Sequence, residues 1–158
     1  MAIPASIERF VRESGVDFTP IHHRVAFTAQ EEAAATHVPG MEWAKTVVCI
    51  ADGKPILAVL PAHYRLDLYA LRTMVGAHSV RLAAEHEFSG LYPDCETGAM
   101  APFGTLYHQQ VYADESLAND PYVVFNAGTH VDAMKMKFSD FAHLARPLFG
   151  RIAIESTH

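Results

Sequence analysis

One lysine occupies an unusual position for a strand. Lys45 lies in a segment, residues 43–51, that otherwise consists of a tryptophan, small residues and β-branched residues. A lysine at the start of a strand commonly carries its ammonium to water along an apolar stem. The functional alternative is a cation at the mouth of a pocket, where it would bind a phosphate or a ribose. Spacing alone favours the first interpretation and leaves the second open.

A loop bordered by two glycines is the second candidate. It runs from Gly98 to Gly104 and contains Met100, Pro102 and Phe103. Glycine lets a ligand approach backbone N–H groups closely, and such donors can stabilise an oxyanion. The alternative is a tight structural loop whose shape Pro102 sets.

Histidines supply the third candidate. His130 directly follows a predicted turn at residues 127–129. A lone histidine at a strand start is more often structural or exposed than functional. His22 and His23 are neighbours on a predicted strand, so their side chains point to opposite faces. This disfavours a metal ion shared by the two.

The two cysteines give no nucleophile. Cys49 lies between a valine and an isoleucine, which predicts a small buried hydrophobe. Cys95 has two acidic neighbours, Asp94 and Glu96, which disfavour a thiolate. Two cysteines are too few for a disulfide scaffold, so the default expectation is the reducing cytoplasm.

Common catalytic motifs are absent from the sequence. It contains no phosphate-binding loop of the G-x-x-x-x-G-K-[ST] type, no H-E-x-x-H zinc pattern and no G-x-S-x-G nucleophile elbow. We therefore predict neither a metal nor a cofactor.

Length and charge limit the classes of protein. The 158 residues predict one domain over residues 1–158. Half of the residues are hydrophobic and 19% are charged, which excludes overall disorder. The formal net charge of −6 argues against a protein that grips long stretches of nucleic acid such as DNA, and no apolar stretch is long enough to span a membrane. Contact with only the end of a strand remains compatible with that charge.

Hydrophobic periodicity and turn residues predict the elements that must position these candidates. Predicted helices are Ser6–Glu13, Thr28–His37, Asp67–Val75, Glu85–Leu91 and Ser139–Leu144. Predicted strands are Thr19–Arg24, Trp43–Ala51, Pro55–Leu60, Ser79–Leu82, Leu106–Tyr112, Tyr122–Asn126, Val131–Phe138 and Arg151–Ile154. Hairpins mixed with helices predict an α/β domain of the α+β type on a mixed sheet, not a doubly wound parallel one.

Four segments, taken together, resemble one family. They are Thr28–Ala34, Ala44–Val48, the pattern Gly98-x-x-x-Pro102-Phe103-Gly104, and Ala127–His130. In this order and spacing they resemble the YbaK/prolyl-tRNA-synthetase-associated domain, a family of free-standing aminoacyl-tRNA deacylases. The resemblance extends over roughly residues 16 to 148. It implies a partly barrel-like mixed sheet flanked by helices.

The resemblance also implies a role for individual residues. Lys45 matches the family's strand lysine, which meets the terminal adenosine or its phosphate, and the glycine loop lines the aminoacyl pocket. The implied catalytic residues are Lys45, Gly98 and Gly104. The implied substrate-binding residues are Thr28, Thr46, Met100, Ala101, Pro102, Phe103, Gly128 and His130.

The implied activity is hydrolysis of the ester between a wrong, small amino acid, such as alanine or cysteine, and the 3′ end of tRNA. The implied partners are mischarged tRNA and an aminoacyl-tRNA synthetase. Two alternatives stay open: a module that binds tRNA 3′ ends or synthetase partners without hydrolysis, and a hydrolase of a free small ester or thioester. Turnover on a panel of misacylated tRNAs separates the first alternative from the editing enzyme, and a requirement for the tRNA body would exclude the second.

Overall fold

The computed structural model describes residues 3–23 and 42–155. The predicted helix from Thr28 to His37, and Thr28 as a site residue, lie outside these residues. Helices α1 to α5 are Ala5–Glu13, Leu68–Val75, Glu85–Phe88, Gly104–Tyr107 and Phe138–Ala145. Strands β1 to β10 are Thr19–His22, Ala44–Ala51, Lys54–Pro61, Tyr64–Leu66, Val80–Leu82, Val111–Asp114, Tyr122–Thr129, Asp132–Lys137, Leu148–Gly150 and Ala153–Glu155. A 3₁₀ helix spans Glu115–Asn119.

The described strands form three sheets. The largest has the order β5-β2-β3-β6-β9 and is mixed, because β6 runs parallel to both β3 and β9. The second is the antiparallel sheet β1-β8-β7, and the third pairs β10 with β4. The predicted mixed α+β class is confirmed, although these strands leave each sheet open and do not close a barrel.

The β2–β3 hairpin is the frame of the largest sheet. Its two-residue turn uses Asp52 and Gly53 at φ values of +48° and +85°, which are the positive values that a type I′ turn requires. The strands then pair along their whole length, from Ala51 opposite Lys54 to Ala44 opposite Pro61. The hairpin predicted from Asp52-Gly53 is confirmed.

Alternate residues of β2 face two apolar clusters. Val48 packs in the larger cluster, which also contains Phe103 and Phe125. Cys49 points the other way and packs in a second cluster with Leu71 of α2. Burial raises the pKa of the Cys49 thiol to about 12, so the prediction of a buried hydrophobe is confirmed.

The predicted strand Leu106–Tyr112 is wrong in its first half. Residues 104–107 form α4, His108 turns the chain with φ +58°, and β6 begins only at Val111. The Thr105 hydroxyl donates to the Leu144 carbonyl of α5 over 2.9 Å. This tertiary contact favours a helical turn where the local pattern favours a strand.

The predicted turn at residues 127–129 is also wrong. Strand β7 continues through Thr129, and the register with β8 shifts between Asn126 and Thr129. Gly128 has φ +99°, so its conformational freedom produces an irregularity inside a strand pair rather than a turn. The short strands β4 and β9 were not predicted. None of the described helices has the length and apolar character needed to cross a membrane.

Candidate active site

A cavity lies along one edge of β2, between two contacts that this strand makes. At one end, a bridge between Trp43 and Val124 joins the start of β2 to β7. At the other, β5 pairs with β2 from Cys49 to Ala51. Between these contacts, the edge of β2 borders a cavity of about 200 Å³. Its wall consists of Thr46, Val47, Val48, Leu82, Ala83, Phe88, Gly98 and Met100.

The backbone of β2 supplies polar groups to this wall. The Glu42 carbonyl accepts from the Val124 N–H over 2.8 Å, and the Val48 carbonyl accepts from the Ala83 N–H over 3.0 Å. Backbone groups of alternate residues point to the same edge of a strand. The backbone N–H and C=O groups of Thr46 therefore point to this edge too. Together with the Thr46 side chain, they are polar groups on an otherwise mostly apolar wall.

The Gly98 side of the cavity is tied to the end of β7. The Gly128 N–H donates to the Ala99 carbonyl, and the Gly128 carbonyl accepts from the Glu96 N–H, both over 2.8 Å. Gly98 itself has φ +88°, a conformation that favours glycine. A Cβ on Gly128 would lie 2.6 Å from the Pro4 ring, so a larger residue there would displace the N-terminal segment.

His130 lies behind the glycine loop. Its N–H donates to Glu96 Oε1 over 2.6 Å. Its Nε2 is 3.0 Å from the Thr97 carbonyl oxygen, and because a carbonyl only accepts, Nε2 carries the proton. A Cβ on Gly98 would lie 3.7 Å from His130 Cε1. The structure thus brings two of the three predicted places together, namely the loop and His130.

Lys45 lies one residue from Thr46 but on the opposite face of β2. That face also carries Val47 and Cys49 toward the cluster around α2. The amine is half-buried, and burial lowers the pKa of Lys45. Among the described residues of the cavity wall, Val47 is present and Lys45 is not. The cavity therefore reaches the edge of the strand beside Lys45 without including its side chain.

The rest of the predicted loop turns into the core. Met100 contributes to the cavity wall, whereas Ala101 is completely buried behind it. Phe103 is also completely buried, with its ring centroid 5.4 Å from that of Phe10 and 5.3 Å from that of Phe125. These side chains anchor one end of the loop by apolar packing.

Gly104 ends the loop and begins α4. A Cβ on Gly104 would collide with the Gln109 carbonyl oxygen and would lie 2.5 Å from a Val111 methyl group. Pro102, two residues earlier, is buried. Neither residue is among the described residues of the cavity wall, so both border the site from the core side.

A bidentate ion pair fixes the opposite wall. Arg81 donates two hydrogen bonds to Glu87, of 2.6 and 2.7 Å, and the Ala84 N–H donates to Glu87 over 2.8 Å. Arg81 and the Ala84 N–H lower the pKa of the Glu87 carboxyl to about 2. These contacts hold the turn between β5 and α3, which carries Leu82 and Phe88 to the cavity.

Other reactive side chains are engaged elsewhere. Burial, with a smaller contribution from Asp94, raises the pKa of the Cys95 thiol, whose sulfur lies 3.4 Å from the Tyr107 hydroxyl. His22 pairs with Asp132 over 3.1 Å. Within residues 3–23 and 42–155, no group of three His, Cys, Asp or Glu side chains is arranged to hold a metal ion.

Comparison with known protein families identifies a family whose matched region contains this cavity. A family model described as the aminoacyl-tRNA editing domain matches residues 23–144, well over half of the sequence. The chain belongs to this family. The matched region includes every residue of the cavity wall as well as Lys45 and His130. The resemblance to an aminoacyl-tRNA editing family is therefore confirmed.

Curated relatives of this editing domain are proline–tRNA ligases. The ligase of Nitratidesulfovibrio vulgaris strain Hildenborough is 30% identical over 95 residues, which are 60% of this chain and 16% of the ligase. The ligase of strain DP4 is 28% identical over 95 residues. The editing domain thus spans about 16% of the length of the ligases that it matches.

Solved structures share the fold. A crystal structure of a candidate trans-editing enzyme for prolyl-tRNA synthetase superposes with a TM-score of 0.80 at 21% identity, covering 97% of this chain and 99% of that one. A crystal structure of the hypothetical protein APE2540 gives a TM-score of 0.82 at 17% identity, covering 94% and 99%. At these identities the likeness shows the fold alone.

Sequence reasoning missed part of the site. Leu82, Ala83 and Phe88 were assigned to a strand, a connection and a helix without a role, because apolar residues on short elements carry no chemical signal. Glu96 was interpreted only as a neighbour that disfavours a Cys95 thiolate. A single sequence does not distinguish a carboxylate that anchors a loop from one that is solvated.

Proposed function

We propose that this editing domain acts in trans and removes a small, wrongly attached amino acid, such as alanine or cysteine, from tRNA. The observation that carries the proposal is the cavity between β2 and the glycine loop. Its volume of about 200 Å³ lies below the roughly 300–1,000 Å³ of sites for drug-sized ligands. Six of its eight wall residues are apolar. Such a cavity admits an alanyl or cysteinyl side chain, and selection against a larger, correct one at this site would be the second sieve of double-sieve editing.

Hydrolysis of an ester needs little covalent chemistry from the protein. An aminoacyl ester is already activated, so positioning a water molecule and stabilising the developing oxyanion suffice. The exposed backbone around Gly98 and the edge of Thr46 supply donors for the ester carbonyl. A water oriented by the substrate's own ribose 2′-hydroxyl would then attack. This mechanism needs no serine, cysteine or metal nucleophile.

Lys45 would anchor the 3′ terminal nucleotide beside the cavity. Its position next to Thr46 and its half-burial support this role, because a long side chain can extend around the strand edge. Burial lowers the pKa of the free amine, and a phosphate beside it would favour the charged form again. The terminal phosphate and Lys45 would therefore stabilise each other.

The other predicted site residues, including the predicted catalytic residues Gly98 and Gly104, would act at two distances from the amino acid. Thr46, Gly98 and Met100 would touch it directly. Residues behind the wall would set its shape: Ala101, Pro102, Phe103, Gly104, Gly128 and His130. We further propose a single domain over residues 1–158, with the 3′ end of mischarged tRNA as its substrate, an aminoacyl-tRNA synthetase as its partner and the cytoplasm as its compartment.

A deacylation panel tests the proposal. The protein is incubated with alanyl, cysteinyl, seryl and prolyl esters on several tRNAs, and the loss of the aminoacyl group is followed over time. We expect the smallest side chains to be removed fastest and the prolyl ester slowest. Equal rates on free aminoacyl esters without the tRNA body would favour a small-molecule esterase instead. Binding without turnover would favour a non-catalytic module.

The role of Lys45 has its own test. Lys45→Ala should raise KM for mischarged tRNA, because a phosphate contact is lost. Wild-type deacylation by this variant would remove Lys45 from the mechanism. Lys54→Ala, at the exposed start of β3, is the matched control for loss of one positive charge.

A further inference from the structure

Glu96 makes contacts that the chemistry described so far does not use. It lies two residues before Gly98, its side chain is exposed, and it is not one of the described residues of the cavity wall. Its carboxylate nevertheless accepts a short hydrogen bond, 2.6 Å, from the His130 N–H. A short bond from a backbone donor to a carboxylate is of the stronger, charge-assisted kind.

Three further contacts complete a clamp between residues 96–99 and residues 128–130. The Glu96 N–H donates to the Gly128 carbonyl, and the Gly128 N–H donates to the Ala99 carbonyl. In the same direction as the Gly128 bond, His130 Nε2 donates to the Thr97 carbonyl over 3.0 Å. Each side of the clamp thus binds the other through both backbone and side chain.

Gly98 lies inside this clamp. Its φ of +88° is one that few other residues adopt, and His130 Cε1 lies 3.7 Å from the place of a Cβ. Since Gly98 forms part of the cavity wall, the clamp decides where the loop's backbone donors lie relative to an ester in the cavity. A displacement of about 1 Å in such a position can slow an enzyme on the order of 100-fold.

We propose that Glu96 is a positioning residue for deacylation: its carboxylate holds the His130 backbone and so fixes the Gly98 wall of the cavity. The inference rests on the proposed function of that cavity. Glu96 acts through hydrogen bonding and not through apolar packing, because its side chain is exposed. Its loss should therefore affect turnover more than folding.

Two substitutions test the hydrogen bond. Glu96→Ala removes the acceptor, and we expect kcat to fall about 10- to 100-fold on the best substrate of the panel, with a small change in KM. Glu96→Gln keeps an oxygen that can accept from the same N–H, so it should recover most of the lost kcat. Asp94→Ala removes one negative charge from the same loop and is the matched control. Thermal melting of all variants excludes unfolding as the cause.

Hydrogen exchange gives a second readout that does not depend on activity. In Glu96→Ala, the His130 and Gly128 amides, which both donate across the clamp, should exchange faster than in the wild type, whereas in Asp94→Ala they should not. A folded Glu96→Ala variant with the kcat of Asp94→Ala would overturn the proposal. So would a Glu96→Gln variant as slow as Glu96→Ala. If the wild type hydrolyses none of the esters, the proposed function fails, and the exchange data then still decide whether the clamp itself exists.

Discussion

The two walls of the cavity are built in different ways. On one side, β2 is paired with β3 along all of its residues and packs against apolar clusters on both faces. On the other, residues 96–99 are held by a few hydrogen bonds to residues 128–130, and Glu96, Thr97 and Gly98 are exposed. The strand wall is fixed by the same interactions that stabilise the fold. The loop wall can therefore be altered with less cost to stability, and changes there should appear mainly in activity.

The largest effect on stability is expected where the loop enters the core. Gly104→Ala places a Cβ against the Gln109 carbonyl oxygen and a Val111 methyl group. Because backbone must move to relieve this overlap, we expect a loss of about 3 kcal/mol in the free energy of unfolding. Urea denaturation measures it.

Gly90→Ala is the control for this change, because a Cβ there meets no atom within 4 Å. Equal stability of the two alanine variants would show that Gly104 tolerates a Cβ as well as an exposed glycine outside the loop does. That result would contradict the proposed difference in how the two walls of the cavity are stabilised.

The next effect concerns the cavity itself. Ala83→Met fills space between the exit from β5 and the glycine loop. We expect kcat/KM on alanyl-tRNA to fall at least about tenfold, while the free energy of unfolding changes by less than about 1 kcal/mol. Ala84→Met adds the same side chain at an exposed neighbouring position and should keep the activity. If both variants keep it, the amino acid binds elsewhere.

A pH-dependent effect is expected at the turn that carries Phe88. In the wild type, hydrogen bonds from Arg81 and the Ala84 N–H lower the pKa of Glu87 to about 2, against an ordinary value of 4.5. The native carboxyl thus binds fewer protons than the unfolded one, so its stabilising contribution is present above about pH 4.5 and is lost as the pH falls toward 2. In Arg81→Ala, NMR titration should show the pKa of Glu87 moved back toward 4.5. An unchanged pKa would mean that the ion pair does not fix this wall.

The smallest effect is expected at Lys45. Burial lowers its pKa, so between that lowered value and 10.5 the native protein binds fewer protons than the unfolded chain. The stability of the wild type should therefore rise slightly with pH in this window. Lys45→Met should lack this rise and be at least as stable as the wild type at neutral pH. Urea denaturation at neutral pH and at about pH 10 compares the two variants. A strongly destabilised Lys45→Met would contradict an amine whose burial disfavours its charged form.

The sequence predicted the strand wall better than the loop wall, for physical reasons. The β2–β3 hairpin follows from a local signal, because Asp52-Gly53 suits one turn and the flanking residues suit strands. Strand pairing then carries Thr46 to the cavity edge. Side chains alternate between the two faces of a strand, so the face on which Lys45 lies can also be predicted from the sequence. The position of the cavity cannot, because it depends on β5 and β7.

Glycine was the main source of error in the loop wall. Gly128 and Gly98 both have positive φ, yet one lies in a strand irregularity and the other in a cavity wall. Gly104 allows close packing in the core, a property that no local pattern records. The clamp by Glu96 joins residues that are 34 positions apart in the sequence. It could therefore be recognised only from the tertiary structure.

The most direct test of the account is to locate the aminoacyl group. A non-hydrolysable alanyl-adenosine, with an amide in place of the ester, can be titrated into the labelled protein and followed by NMR. The account predicts shifts that concentrate on the amides of Thr46, Ala83 and Gly98. Within the described part of the chain, larger cavities also lie elsewhere, one of about 390 Å³ beside Pro4 and Thr129 and one of about 510 Å³ beside Tyr122 and Phe138. Shifts confined to either of those, with Thr46 and Gly98 unaffected, would contradict the account.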